Sequence, residues 1–364
     1  LEEVAADDVH YPATYLAGGY DRLGSTVADQ IVENEDLVNW PIWTAVRWRH
    51  AEASDWWQPH PETVLDHRIE LDLRRGLLHR TTRLRDESGR TARLTSTRLV
   101  HMVDPHLAGL VWEFRPEDWS GPIVVRSLLD AGITNRGVAR YRELRGDHLE
   151  WLGGGHEREV AWVNVCGRQS RLRVALAARH RFDVQDPHPI AENGQYGHEA
   201  TLDVSADQPA RLQKLVAIHT QRDHAIAEPV EDVRLRASRV PDIIALRSSH
   251  DRAWEALWRE FDLTVDADGE TQRLLRLHAF HLLQTASPHS PELDAGMPAR
   301  GWHGEGYRGH IFWDELYIFP FFTLRRPAIT RGLLMYRYRR LDAARAAAEA
   351  EGYEGAMFPW QSGS

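Results

Sequence analysis

At 364 residues the chain exceeds one ordinary hydrophobic core, so more than one domain is expected. It is 42% hydrophobic and 27% charged, ordinary for a globular protein, and no run of 18 apolar residues is present to cross a membrane as a helix. A net charge of −10 with scattered basic residues argues against a nucleic-acid partner, and the single cysteine, Cys166, excludes an internal disulfide and a thiolate metal cluster.

The N-terminus, Leu1 to Asp8, is acidic and lacks the basic and apolar regions of a signal peptide. It opens on Leu1, which points to trimming, and the expected location is cytoplasmic. Tyr11 to Tyr20 is an aromatic, glycine-bearing segment at the edge of a strand-rich region. Ile69, Leu71 and Leu73 alternate with Glu70, Asp72 and Arg74, the period of a strand with one wet face. Gly76 turns the chain into Leu78 to Leu84, and Asp86-Glu-Ser-Gly89 marks a hairpin into Arg93 to Val100. Further strand-like runs are Val111 to Phe114, Ile123 to Leu128, Val160 to Val165, Leu172 to Ala177 and Leu215 to Thr220. Many short strands without βαβ alternation predict a large antiparallel β-sandwich over residues 1–235. Gly153-Gly-Gly155 is read as a turn, because no strand–helix frame makes it a phosphate loop.

Composition changes after Pro229. Ser248 to Phe261 places Trp254, Leu257, Trp258 and Phe261 at helical spacing, and Glu270 to Gln284 places Leu274, Leu277 and His281 on one stripe. These form a predicted helical linker, 236–285. A proline-bearing loop then leads to helices over Leu316 to Leu324, kinked at Pro320, and over Gly332 to Glu351. Residues 286–364 thus open a helical domain, since runs of strands followed by runs of helices indicate separate domains. His278 and His281 could share a metal, but no third ligand accompanies them, and the reading favours satisfied core histidines with no metal.

The run from Gly304 to Glu315 carries the chemistry. Its three glycines allow close backbone approach, Trp313 offers a flat apolar face, and Asp314 offers two acceptor oxygens beside it. Those are the parts that hold a sugar ring. Asp314 and Glu315 invite an acid/base pair, yet helical neighbours project about 100° apart and cannot readily face one bond. Asp314 is therefore the substrate-binding carboxylate, and Glu315 the one that orients the loop or caps a neighbour. Glu305 is read as structural. Arg308 and His310 are loop donors able to hold Asp314 or a sugar hydroxyl, and Trp360 with Gln361 repeats the aromatic-plus-polar theme on a second loop.

Together these residues resemble glycoside hydrolase family 65. The resemblance rests on Tyr11-Pro-Ala-Thr-Tyr15 with Gly18 and Tyr20; Glu35 to Trp43; Leu71-Asp-Leu73 with Gly76 and Arg80; and Ser127 with Asp130 and Asn135. It continues through Gly306-Tyr-Arg-Gly-His-Ile-Phe-Trp-Asp314, Met335-Tyr-Arg-Tyr338 and Gly355 to Trp360, in order. It implies an N-terminal β-sandwich, a helical linker and the beginning of an (α/α)6 barrel. It also implies inverting cleavage of an α-linked glucosyl disaccharide, with inorganic phosphate as co-substrate and β-glucose 1-phosphate as product, or water in the hydrolases. No other cofactor is implied, and the partner is a second copy of the chain. By the same resemblance Trp313 and Asp314 hold the non-reducing glucose, with Tyr307, His310, Trp360 and Gln361 nearby. The general acid, a glutamate, and the rest of the barrel are expected beyond Ser364, as a further segment or a separate partner chain, so no catalytic residue is assigned, and a non-catalytic carbohydrate-binding fragment is the competing reading. Two departures concern the second sugar: Arg339-Arg340 stands where members often carry His-Thr, and Trp360-Gln361 where they carry Trp-Glu.

Overall fold

The computed structural model describes residues 11–136, 138–184, 187–224 and 228–364; the acidic stretch Leu1 to Asp8 lies outside them. Fourteen strands precede six α-helices among these residues. Strands β4 (Val64–Asp72), β5 (Leu77–Arg85), β6 (Thr91–Val100), β7 (Leu107–Pro116), β14 (Ala210–Thr220), β11 (Arg173–Phe182), β10 (Val160–Gly167) and β9 (Leu149–Glu157) form one eight-stranded sheet in that spatial order. A four-stranded sheet runs β12 (His188–Glu192), β13 (Gln195–Val204), β8 (Gly121–Asp130) and β3 (Val46–His50). Every ladder is antiparallel. A separate hairpin, β1 (Tyr20–Val27) and β2 (Gln30–Leu37), completes the β region.

Alternation decides what lies between the sheets. Leu110, Trp112 and Phe114 of β7, Val174, Leu176 and Ala178 of β11, and Val163 and Val165 of β10 meet Val46 and Trp48 of β3, Ile123 and Val125 of β8, and Leu202 and Val204 of β13. This two-sheet core is the largest apolar cluster. Lys214, the only lysine, is buried within it and donates to the carbonyl oxygen of Leu128 at 2.6 Å. Burial holds its ammonium far below the usual lysine range.

The central strands of the eight-stranded sheet are apolar on their outer face too, because helices cover them, whereas the edge strand β4 is exposed along most of its length. Helix α1 (Pro229–Arg239) lays Val233 and Ala237 on Ala175, Ala177 and Ala217, and α2 (Ile243–Phe261) adds Leu246. Asp242 caps α2 by accepting from the Ala245 amide at 2.7 Å. The far half of α2 leaves the sheet, and Trp254, Leu257 and Phe261 pack with Phe280 and Leu283 of α3 (Gly269–Thr285), with Phe322 of α4 (Glu315–Thr323), and with Ile329 and Leu333 of α5 (Pro327–Arg339). Helix α6 (Leu341–Ala350) comes last. The whole is a large antiparallel β region followed by helices.

Four local expectations need correction. Gly153 to Gly155 is no turn: the triplet lies inside β9, where the rings of Trp162 and Tyr196 occupy the space that side chains would take. The helix expected over Gly332 to Glu351 starts at Pro327, at the first helical position, and breaks at Arg340, whose guanidinium lies 3.9 Å over the Tyr336 ring and pairs with Asp294. On α3 the buried stripe runs through Ala279, Phe280 and Leu283, while Leu274 is exposed. His278 and His281 are accordingly not core histidines: the first is exposed and the second half-buried.

Candidate functional site

The stretch ahead of Trp313 is a strained turn. In Gly306–Gly309 the residues Tyr307, Arg308 and Gly309 have φ of 54°, 58° and 68°. Left-handed backbone costs a non-glycine residue roughly 1–2 kcal/mol, so two in a row require strong holding. The β region supplies it. Tyr20 of β1 donates its hydroxyl to the Gly309 carbonyl at 2.6 Å. Gly309 lies against Leu37 so closely that a Cβ would stand 2.4 Å from the Leu37 Cβ. His310 is buried against Tyr20 and donates Nε2 to the Glu35 carbonyl at 2.7 Å, and burial lowers its pKa. Arg300 lies over the Tyr307 ring and Arg308 over the Tyr141 ring. Glu305, buried, accepts from the Tyr15 hydroxyl at 3.1 Å.

With the turn set, Ile311 pairs in both directions with Ser362, at 2.9 and 3.2 Å. This bridge carries the 358–361 loop to the start of α4. The end of the chain is fastened as well: Glu35 of β2 accepts from the Gly363 amide at 2.9 Å, the Ser364 amide at 3.1 Å and Arg22 at 3.0 Å. Burial alone would raise the Glu35 pKa, but these bonds hold its carboxyl below the usual range. Tyr336 of α5 donates its hydroxyl to the Gly363 carbonyl at 2.9 Å.

The outcome is an open aromatic pair. The rings of Trp313 and Trp360 lie 6.3 Å apart at 51°, and they are 48% and 72% exposed. Tyr317, one helical turn on from Trp313, meets its edge at 5.6 Å. Asp314 immediately precedes α4, partly exposed, and its carboxylate has no hydrogen-bond or ion partner among the described residues. Gln361 is half-buried beside Trp360.

Glu315 has the opposite setting. It is 3% exposed, accepts from the Met297 amide at 2.8 Å and faces Arg337 at 3.3 Å. Burial raises its pKa in spite of both partners. The adjacent carboxylates therefore diverge: one orients the 297 loop, the other is free at the aromatic face. Of the residues singled out in the sequence, Trp313, Asp314, Trp360 and Gln361 come together. Tyr307 packs edge-on against Phe312 at 5.5 Å, and His310 is turned into the β hairpin. Tyr317 was not anticipated, although its i, i+4 spacing from Trp313 on a helix is a readable signal.

Models of two domains match the chain: the glycosyl hydrolase family 65 N-terminal domain over residues 1–257 and the family 65 central catalytic domain over 276–364. The chain belongs to glycosyl hydrolase family 65. An uncharacterized glycosyl hydrolase of Mycobacterium tuberculosis is 41% identical to this family 65 chain over its full length, covering 28% of the relative. The trehalose 6-phosphate phosphorylase of Lactococcus lactis is 31% identical over 98% of the chain and 45% of the relative. The kojibiose phosphorylase of Halothermothrix orenii is 27% identical over 98% and 46%. A solved protein from the human microbiome, assigned as a kojibiose phosphorylase, shares the fold with a TM-score of 0.83 at 19% identity, over 96% of this chain and 46% of its own. The family 65 chain thus spans less than half the length of these relatives. No helix of the described residues is long and apolar enough to cross a membrane.

Proposed function

We propose that this chain supplies the sandwich (1–235), the helical linker (236–285) and the opening of the (α/α)6 barrel (286–364) of an inverting α-glucoside phosphorylase. The substrate is an α-linked glucosyl disaccharide and the product β-glucose 1-phosphate, with inorganic phosphate as co-substrate. The observation that carries the reading is the unpaired Asp314 carboxylate beside the exposed faces of Trp313 and Trp360. An aromatic face takes the C–H side of a pyranose, and a carboxylate with no internal partner accepts from two of its hydroxyls. The phosphorylases among the relatives favour phosphate over water as the attacking group.

In an inverting displacement the nucleophile attacks C1 from the face opposite the leaving oxygen while an acid protonates that oxygen. The site's own contribution is to hold the ring so that C1 is presented to both. Glu305 and Glu315 are bound to Tyr15, Met297 and Arg337, so neither is given the acid's role. That role is assigned to the part of the relatives' length this chain does not span. The same proposal includes a homodimer and a cytoplasmic location, where phosphorolysis retains the sugar as a phosphate ester.

Two measurements test it in the full-length protein. Glucose 1-phosphate should form from a glucosyl disaccharide only when phosphate is present; glucose released at the same rate without phosphate makes the enzyme a hydrolase. Asp314→Ala should leave the fold intact and lower kcat/KM by about a hundredfold to a thousandfold, or roughly 3–5 kcal/mol. An effect below about tenfold removes Asp314 from the sugar site.

A further inference from the structure

Away from the aromatic face, the turn between β6 and β7 and the end of β14 bring His106, His219 and Asp223 together. His219 is 2% exposed, and it alone among the described histidines has both ring nitrogens buried without a hydrogen-bond partner. A buried imidazole so placed calls for an explanation, since its polar atoms have left water without making a well-formed hydrogen bond. Its nearest polar neighbour is a carboxylate. His219 Nδ1 stands 3.4 Å from Asp223 Oδ2, and His106 Nδ1 stands 3.6 Å from the same oxygen. The Thr220 amide donates to Asp223 Oδ2 at 2.6 Å and sets that carboxylate in place.

We propose that His106, His219 and Asp223 form a three-ligand site for a divalent transition metal, with Zn(II) the best match. The donor set is two imidazoles and one carboxylate, which suits Zn(II) and leaves a fourth position for water. Zinc bonds of about 2.0–2.1 Å in a tetrahedron put neighbouring donors about 3.4 Å apart, close to both separations. One adjustment is required. The rings of His106 and His219 are stacked at 4.1 Å and 14°, and a ring nitrogen binds metal in its own plane. His106 is the ring able to turn: it is partly exposed, and its side chain is held by a single hydrogen bond, from Nδ1 to the Ile218 carbonyl at 3.1 Å.

The position says what such an ion does. Asp104, on the same turn as His106, accepts from the His106 amide at 3.1 Å and pairs with Arg236 of α1. Arg222, next to Asp223, donates to the Gly18 carbonyl at 3.2 Å, and Gly18 lies beside Asp294 and Ala295 of the loop leading to the aromatic site. Metal at this corner ties the β6–β7 turn to β14 and stiffens the seat of α1 on the sheet.

The test is calorimetric titration of the chelator-treated full-length protein with Zn(II), run beside His106→Ala and Asp223→Asn. Both positions are partly exposed, and circular dichroism checks that both variants keep the fold. The expected result is saturable binding that each variant weakens by about 10–100-fold, and a rise in Tm with metal that His106→Ala abolishes. Absence of saturable binding, or binding that both variants leave unchanged, overturns the proposal; the second outcome places the metal on other histidines.

Discussion

Trp112 and Trp360 are the same residue under two regimes. Trp112 lies between two sheets with no exposure, surrounded by residues of its own chain, while Trp360 is 72% exposed at the aromatic pair. The difference extends to the regions they belong to. The central strands of the eight-stranded sheet are buried on both faces, one by the smaller sheet and one by α1 and α2. The last three helices instead leave Leu316, Tyr317, Leu324 and Tyr338 exposed. The sandwich uses its aromatics for stability, and the helical segment keeps Trp313, Tyr317 and Trp360 available. The two regimes meet at Glu35, Tyr20 and Leu37, where the closed region fixes the geometry of the open one.

Substitutions can break or sharpen this contrast. Trp112→Ala empties the two-sheet core and should cost about 3–5 kcal/mol by urea denaturation; a loss near zero would mean the core is not the source of stability. Gly309→Ala tests the junction, since a methyl group there meets Leu37 on a left-handed backbone. It should cost about 2–4 kcal/mol and disturb near-UV circular dichroism of the tryptophans. Glu35→Ala should cost about 1–3 kcal/mol and speed hydrogen exchange at residues 362–364. The pH dependence follows from the lowered Glu35 pKa. Its contribution is fully present above the ordinary glutamate value of about 4.3 and is lost as pH falls through the depressed folded value. Wild-type protection factors at 362–364, with the intrinsic pH dependence of amide exchange divided out, should therefore fall in acid, and those of Glu35→Ala should not change. Trp360→Ala comes last, with about 0.5 kcal/mol or less of stability at stake. Its effect belongs to sugar binding, and a large drop in Tm would assign this ring to packing instead.

Strand and helix type were readable from periodicity. The helical spacing of Trp254, Leu257 and Phe261 matches α2, and the alternation from Ile69 falls on β4 as far as Asp72, although Ile69 and Leu71 are exposed there, so the single wet face it predicted is not what this edge strand has. Local signals misled where a distant partner overrode them. Gly153 to Gly155 reads as a turn until Trp162 and Tyr196 are known to lie over it. Arg340 breaks a helix without glycine or proline because Asp294 and the Tyr336 ring hold its side chain. His310 reads as a loop donor, yet its partner is the Glu35 carbonyl, 275 residues earlier.

The divergence of Asp314 and Glu315 was determined by sequence alone, because adjacent helical residues point apart whatever surrounds them. So was the order of strands before helices, which periodicity carries. The identity of the buried carboxylate was not, since Met297 and Arg337 reach Glu315 only after the 297 loop and α5 have folded against α4. Nor was the meeting of Trp313 with Trp360, which depends on the Ile311–Ser362 bridge and on Glu35 holding residues 363 and 364. Local covalent geometry sets the direction in which a side chain points, and only long-range closure of the chain decides what it meets.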